Sequence, residues 1–316
     1  MSGNLENLLT ESRLSWRSHV PLRDLCHWRI GGPADYLAEP RSAEETALVR
    51  SCALASGTPY LVIGQGSNIL FDDSGYRGLV IKIGKNFSAR VFEGRTVRAE
   101  GGLWAPNLAR ACASRGLSGL EHIVGIPGSL GGLLFMNGGS LRKNIGDAVT
   151  SVHVLTPAGT IADIPAEECG FSYRRSVFQE DGSVILGAVF ELQRSTPEAV
   201  RCEMLAIMEE RRKKFPLNLP NCGSVFSNDA DLYAAYGPPG MVIDRAGLKG
   251  LRVGDAQVSS IHANFIVNLG RASSKDVFEL IREIRRQILA RTGFSLRCEV
   301  RYAAPDGQCG RLDCFL

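Results

Sequence analysis

Gly64-Gln65-Gly66-Ser67-Asn68, together with Gly125-Ile126-Pro127-Gly128-Ser129-Leu130-Gly131-Gly132, decides how this chain is read. Each stretch adjoins an apolar run, Tyr60 to Ile63 before the first and Leu133 to Met136 after the second. Glycine lets a backbone come close to a ligand, and its amides can then cradle an anion. Two such turns, about one small lobe apart, point to a long cofactor with a diphosphate. The first turn begins like a dinucleotide fingerprint, but the third glycine of that motif would fall at Ile69. Leu70 to Gly75 does not look like the crossover helix that the motif needs. No Gly-Lys-Ser/Thr follows either turn, which excludes a P-loop. The expected cradle is built from loops, the alternative being two tight turns with no ligand.

Working outward, Ser42 to Ser56 reads as an amphipathic helix with Ala43, Ala47, Leu48 and Cys52 inward and Gly57 as its stop. Tyr60 to Ile63, Leu79 to Ile83, Thr96 to Glu100 and Val184 to Leu192 read as strands. Pro106 opens a helix through Arg115 that Gly116 closes. Ser151 to Thr156 and Thr160 to Ile164 form a hairpin about Pro157-Ala158-Gly159. Thr196-Pro197 caps a helix to about Lys214, with Val200, Met204, Ile207 and Met208 inward. Pro216 and Pro220 break the pattern and mark a domain boundary. Beyond it come a short helix at Met241 to Ala246, a strand at His262 to Leu269, a long helix at Ser273 to Arg291 and a strand at Leu296 to Tyr302. Residues 1–20 read as a loose, partly helical lead-in, and no pattern is visible after Pro305. The elements do not alternate as in a doubly wound sheet, so the fold class is α+β.

The chain has 316 residues, 44% hydrophobic and 22% charged, with a net charge of +3. That length supports two or three domains and a large core. The charge is too small to argue for nucleic acid. Arg211-Arg212-Lys213-Lys214 reads as the basic last turn of a helix. Nine cysteines occur without a CxxC, no stretch is long enough for a membrane span, and Met1 to Arg17 lacks a signal-peptide core. The expected setting is a reducing cytoplasm, with no membrane partner.

Several polar residues stand out. Phe171 to Ser176 holds Arg174 and Arg175 beside aromatic residues, and an arginine fork suits carboxylate or phosphate. A surface pair is the plainer alternative. Ser224 lies in the constrained turn Asn221 to Phe226, which is not a GxSxG elbow. Glu299 lies in an apolar strand, with Cys298 and Val300 on the other face. A carboxylate there must be paired, protonated or functional. The histidines are scattered, so no metal site is expected. His122 and His262 read as packing residues.

In order, these motifs resemble the UDP-N-acetylenolpyruvoylglucosamine reductases of bacterial cell-wall synthesis. The likeness spans Arg29 to Tyr302. It includes Arg29-Ile30-Gly31-Gly32-Pro33-Ala34-Asp35, both glycine turns, Met136-Asn137, Tyr173-Arg174, Gly223-Ser224-Val225-Phe226, Gly247-Leu248-Lys249-Gly250, Ala256-Gln257-Val258-Ser259, His262-Ala263-Asn264-Phe265 and Glu299-Val300-Arg301. The short link between the Tyr-Arg and Gly-Ser motifs resembles the shorter of the family's two subtypes.

The resemblance implies a two-lobed FAD-binding domain of the vanillyl-alcohol-oxidase type and a separate α+β substrate-binding domain. It divides the chain into a lead-in (1–20), two FAD-binding lobes (21–90 and 91–215), a substrate domain (216–295) and a closing strand and tail (296–316). It implies non-covalent FAD, held by Gly64, Gly66, Ser67, Asn68, Gly125, Ile126, Pro127, Gly128, Gly131 and Gly132. NADPH reduces the flavin, whose N5 then passes hydride to the vinyl carbon of an enolpyruvyl nucleotide sugar. The family's catalytic positions fall on Ser224 as proton donor, with Arg174 and Glu299 stabilising charge on the substrate carboxylate. Tyr173, Arg174 and Asn228 would contact substrate, and a monomer is expected. The chain departs from the family pattern at Leu133, Leu141, Ser227 and Asp229. Those changes keep two alternatives in view: a reductase of another nucleotide sugar, and a binding protein without turnover.

Overall fold

The computed structural model describes residues 4–316, which form two compact units. The first comprises residues 4–17, Leu37–Gln65 and Leu79–Arg211, and the second Ser18–Tyr36, Gly66–Gly78 and Arg212–Leu316.

The first unit is built on a five-stranded sheet with order Ile161–Pro165, Val149–Leu155, Val184–Glu191, Thr96–Glu100, Arg90–Glu93. Every neighbouring pair is antiparallel. The hairpin turns at Gly159, whose φ of 85° a side chain would resist. Val97, Ala99, Val152, Val154, Ala188 and Phe190 face a core shared with the helices Ala105–Ala113, Leu130–Phe135 and Pro197–Lys214. From the last of these, Val200, Met204 and Ile207 are buried and Met208 is partly covered, at the expected spacing.

A parallel pair joins Tyr60–Ile63 to the strand Tyr76–Lys82, with Tyr60 opposite Leu79 and Ile63 opposite Lys82. The helix Ala43–Ser56 is capped by Ser42, whose hydroxyl accepts from the Glu45 amide, and ends at left-handed Gly57. Its buried residues are Thr46, Val49, Arg50, Cys52 and Ala53, while Leu48 is 42% exposed. Of the residues expected inward, Cys52 is buried and Ala43 and Ala47 pack against the cluster of Ile83, Phe87 and Leu155, so Leu48 alone departs from the expected face. Arg50 accounts for this by turning inward, donating to Tyr60 Oη and to the carbonyl of Pro157 at 2.9 Å each and also to the carbonyl of Thr156.

The second unit carries two three-stranded sheets. In one, Arg301–Ala303 lies between antiparallel Cys309–Arg311 and parallel Ile69–Phe71. The other runs Arg252–Val253, Ala256–Val258, Ile266–Asn268. The helix Ser274–Thr292 buries Val277, Leu280, Ile281, Ile284 and Ile288 and stops at left-handed Gly293. Trp28 is fully buried; its Nε1 donates to the Ile266 carbonyl at 2.8 Å and its own carbonyl accepts from Asn268 Nδ2 at 2.9 Å.

Two expected strands are shorter than the sequence suggests. Only Ile266–Asn268 of the span 262–269 is strand, because the Phe265 amide donates back to the His262 carbonyl and closes a turn. Of the span 296–302, Arg301 onward is strand, with an isolated bridge at Cys298. Residues after Pro305, where no pattern was read, form the strand Cys309–Arg311 and a 3-10 turn at Leu312–Phe315. All nine cysteines are free thiols, and Cys202 and Cys314 are the exposed ones. Burial pushes Cys112 and Cys298 up to about 12.

Candidate active site

In the first unit, Gly64 lies against the second glycine turn. A Cβ on Gly64 would sit 1.9 Å from Ser129 Oγ. Ser129 is the N-cap of Leu130–Phe135 and accepts from the Gly132 amide. A Cβ on Gly125 would meet the Arg211 side chain at 2.3 Å. Arg211 therefore turns inward from the basic stretch 211–214, and burial lowers its pKa. Five amides of the second turn are engaged inside the protein, those of Ile126 and Leu130 with the Ile123 and Leu103 carbonyls. Gly128 donates to the Ile126 carbonyl, Gly131 to the Gly101 carbonyl and Gly132 to Ser129 Oγ. What the turn offers a ligand is a rigid, bare backbone, exposed at Pro127 and Gly132, with the Arg211 cation beside it. These features suit the diphosphate of a flavin dinucleotide.

Arg174 occupies a tight turn closed by reciprocal amide-to-carbonyl bonds between Ser172 and Arg175, 3.1 Å each. Its φ of 55° is left-handed, which costs a branched or long side chain energy unless the surroundings fix it. They do. Gln179 Nε2 donates to the Arg174 carbonyl at 3.0 Å and to the Phe135 carbonyl at 2.8 Å. Asn137, buried and itself left-handed, donates to the Ser172 carbonyl at 2.8 Å and accepts from the Gly146 amide. The guanidinium reaches the Gly139 carbonyl at 3.4 Å and lies 5.3 Å from the centre of the exposed Tyr173 ring. The Met-Asn segment thus aims the Tyr-Arg turn. His122, just ahead of the second glycine turn, is 1% exposed. Burial first, then Lys143, push its pKa down to about 4, so the ring is neutral.

In the second unit, Ser224 follows Gly223, whose φ is 82°. The next residues are clasped from two sides. The Val225 amide donates to the Asn264 carbonyl at 2.9 Å, and Asn264 pairs its side chain with both the amide and the carbonyl of Phe226, also at 2.9 Å. On the other side, Glu299 donates its amide to the Val225 carbonyl at 2.8 Å, and Ser227 its amide to the Arg297 carbonyl. This sets the Ser224 turn directly beside the Glu299 segment. Cys298 and Val300 are buried while Glu299 is half-buried, as strand alternation expects. Asn68 joins them: its Nδ2 donates to the Glu299 carbonyl at 3.3 Å, and its carbonyl accepts from the Arg301 amide. Gly66 is left-handed, and a Cβ there would meet the Leu25 carbonyl at 2.3 Å. Ser67 is half-buried, and Asn228 is exposed two residues past Phe226. Among the described residues, no group of three His, Cys, Asp or Glu is placed to hold a metal ion.

Sequence reasoning gave no role to Gln179, Asn264 or Arg211. Asn264 fell within a quoted motif, and Arg211 stood in a basic run read as a helix end; Gln179 had no signal.

Glycine-lined turns beside an arginine in the first unit, and a serine turn bonded through its backbone to a glutamate segment in the second, fit a flavin-nucleotide-dependent oxidoreductase. Residues 34–164 match the family model described as FAD binding domain, and residues 215–303 match UDP-N-acetylenolpyruvoylglucosamine reductase, C-terminal domain. A UDP-N-acetylenolpyruvoylglucosamine reductase of Corynebacterium glutamicum is 44% identical over 97% of this chain and 92% of its own length. One from Heliobacterium modesticaldum is 39% identical over 98% and 96%. The solved reductase of Thermus caldophilus superimposes with a TM-score of 0.77 at 32% identity, covering 92% of this chain and 98% of its own. The chain belongs to the UDP-N-acetylenolpyruvoylglucosamine reductase family. It is therefore an FAD-dependent oxidoreductase of peptidoglycan precursor synthesis, in a family that uses NADPH and a nucleotide-sugar substrate.

Proposed function

We propose that this chain reduces the enolpyruvyl ether of UDP-N-acetylglucosamine to UDP-N-acetylmuramate, with Ser224 as proton donor and Arg174 and Glu299 on the substrate carboxylate. The observation that carries this reading is the direct pairing of the Ser224 turn with the Glu299 segment through the Glu299 amide and the Val225 carbonyl. FAD, when bound and reduced by NADPH, supplies hydride at N5. The remaining work falls to the chain.

The residues 21–90 and 91–215 are the lobes that hold the flavin, and 216–295 the domain that holds the sugar nucleotide. Gly64, Gly66, Ser67, Asn68, Gly125, Ile126, Pro127, Gly128, Gly131 and Gly132 form the flavin cradle. Addition of hydride to a vinyl carbon leaves electron density on the carbon bearing the carboxylate. A guanidinium held in a fixed turn stabilises that density without reorganising. Glu299 adds a directed hydrogen bond to that carboxylate in its acid form, since an ionised carboxyl has no proton to donate. Ser224 then protonates the carbon; an alcohol is a weak acid, but the carbanion-like carbon is a strong base. Tyr173 and Asn228 contact the substrate. No helix among the described residues is long and apolar enough to cross a membrane. The chain works as a monomer in a reducing cytoplasm, a compartment that its nine free thiols suit.

Ser224→Ala tests the assignment. Anaerobic bleaching of the flavin by NADPH should persist, while reoxidation by the enolpyruvyl nucleotide sugar should slow by about a hundredfold or more. A parallel fall in both half-reactions would remove Ser224 as the acid.

A further inference from the structure

Residues 309–313 lie beyond the span 215–303 that the family model matches, yet they bond directly to the segment carrying Glu299. The strand Cys309–Arg311 pairs with Arg301–Ala303 so that Arg301 faces Arg311. Continuing that antiparallel register places Val300 opposite Leu312 and Cys298 opposite Cys314. The first bond of the continuation is present: the Leu312 amide donates to the Val300 carbonyl at 2.9 Å. The second is not made by the backbone, because the chain coils into the turn Leu312–Phe315. Instead the Cys298 amide donates to Asp313 Oδ2 at 3.3 Å. A side-chain carboxylate stands where the Cys314 carbonyl of an unbroken ladder would stand.

Asp313 is built into this place. Its side chain is 7% exposed, and its Oδ1 lies 3.3 Å from Arg311 Nε. A buried carboxylate needs such a partner. The turn that follows is pinned by Phe315, whose ring meets that of Tyr302 edge-on at 5.1 Å. Glu299 is thereby framed on both strand edges. Its own amide and carbonyl meet Val225 and Asn68, while the flanking Cys298 and Val300 meet Asp313 and Leu312.

We propose that Asp313 is a positioning residue: by replacing a ladder carbonyl, it holds the backbone on which Glu299 is presented to the substrate. This rests on the role given to Glu299 above. Geometry errors of about 1 Å at a reacting group cost on the order of a hundredfold in rate.

The test uses the holoenzyme and its two half-reactions. Asp313→Ala, which removes the acceptor, should slow flavin reoxidation by the enolpyruvyl substrate about tenfold to a hundredfold. Flavin reduction by NADPH should stay within about twofold. Asp313→Asn, which keeps an acceptor oxygen, should restore reoxidation to within about threefold. Combined with Glu299→Gln, Asp313→Ala should add no further loss, since it acts through Glu299. If Asp313→Ala does not accumulate as folded protein, Asp313→Glu shifts the acceptor by one methylene and should show the same selective loss. Full reoxidation in the alanine variant, a loss that multiplies with Glu299→Gln, or equal losses in both half-reactions would overturn the proposal. Glu299→Gln alone separates the two readings. If it leaves reoxidation intact, the role of Glu299 fails; if it slows reoxidation while Asp313→Ala does not, only the role of Asp313 fails.

Discussion

Gln179 spans two main-chain carbonyls with one amide, and one of them belongs to left-handed Arg174. Leucine at this position would take the side-chain donor from the Arg174 carbonyl in a partly buried place, which costs about 1–3 kcal/mol, while the Phe135 carbonyl keeps Ser176 Oγ at 2.7 Å. Gln179→Leu is therefore expected to loosen the Arg174 turn and slow flavin reoxidation by substrate about tenfold. Reduction by NADPH should change less, and stopped-flow absorbance measures both. The order of Tyr173-Arg174, Gly223-Ser224 and Glu299-Val300-Arg301 marks in the sequence the side chains proposed above as reactive, because the proposed chemistry calls for those residue types. Gln179, Asn264 and Asp313 were not legible. A side chain that bonds main-chain carbonyls and amides leaves no spacing pattern, and its partners are set only when distant segments meet.

At the scale of elements, the helix Ser274–Thr292 carries the clearest signal, and the structure keeps it nearly to the residue. Ser273 accepts from the Asp276 amide at 3.0 Å and Asp276 accepts from the Ser273 amide at 2.9 Å, a reciprocal capping box. Ser273→Ala should lower stability by about 1 kcal/mol. The urea midpoint should fall while the flavin half-reactions of the folded protein stay unchanged. The helix Ala43–Ser56 keeps Ala43, Ala47 and Cys52 inward as its spacing predicts, but Leu48 lies outside while Arg50 is buried, which hydrophobic spacing does not foresee. The expected strand 262–269 lost its first half to a turn in which His262 Nδ1 accepts from the Asn264 amide. That turn frees Asn264 to clasp Phe226. Period-two alternation cannot distinguish a strand from a loop that bonds with its side chains.

Across the whole molecule, acid stability should report on His122. An unfolded histidine titrates near 6.5, whereas the buried one is held down to about 4. The unfolded chain thus binds the extra proton between those values, and stability falls as pH drops through that window. Between pH 7.5 and pH 5 the loss should be about 2 kcal/mol. His122→Phe, which fills the space without a titrating ring, should remove that part of the slope in urea titrations at the two pH values. An unchanged slope would show that the ring is solvated in the folded protein. The pairings that make the second unit were invisible locally. Trp28 meets Ile266, and Ile69–Phe71 meets Arg301–Ala303, across more than two hundred positions of chain.

Of the nine thiols, only Cys202 and Cys314 are exposed, and they belong to different units. Maleimide chemistry favours such accessible sulfur atoms. The native chain therefore already carries one anchoring point on each unit for a donor and an acceptor fluorophore. Energy-transfer efficiency between the two dyes can gauge how the units are spaced in solution, before and after each nucleotide is added, without inserting a single foreign cysteine.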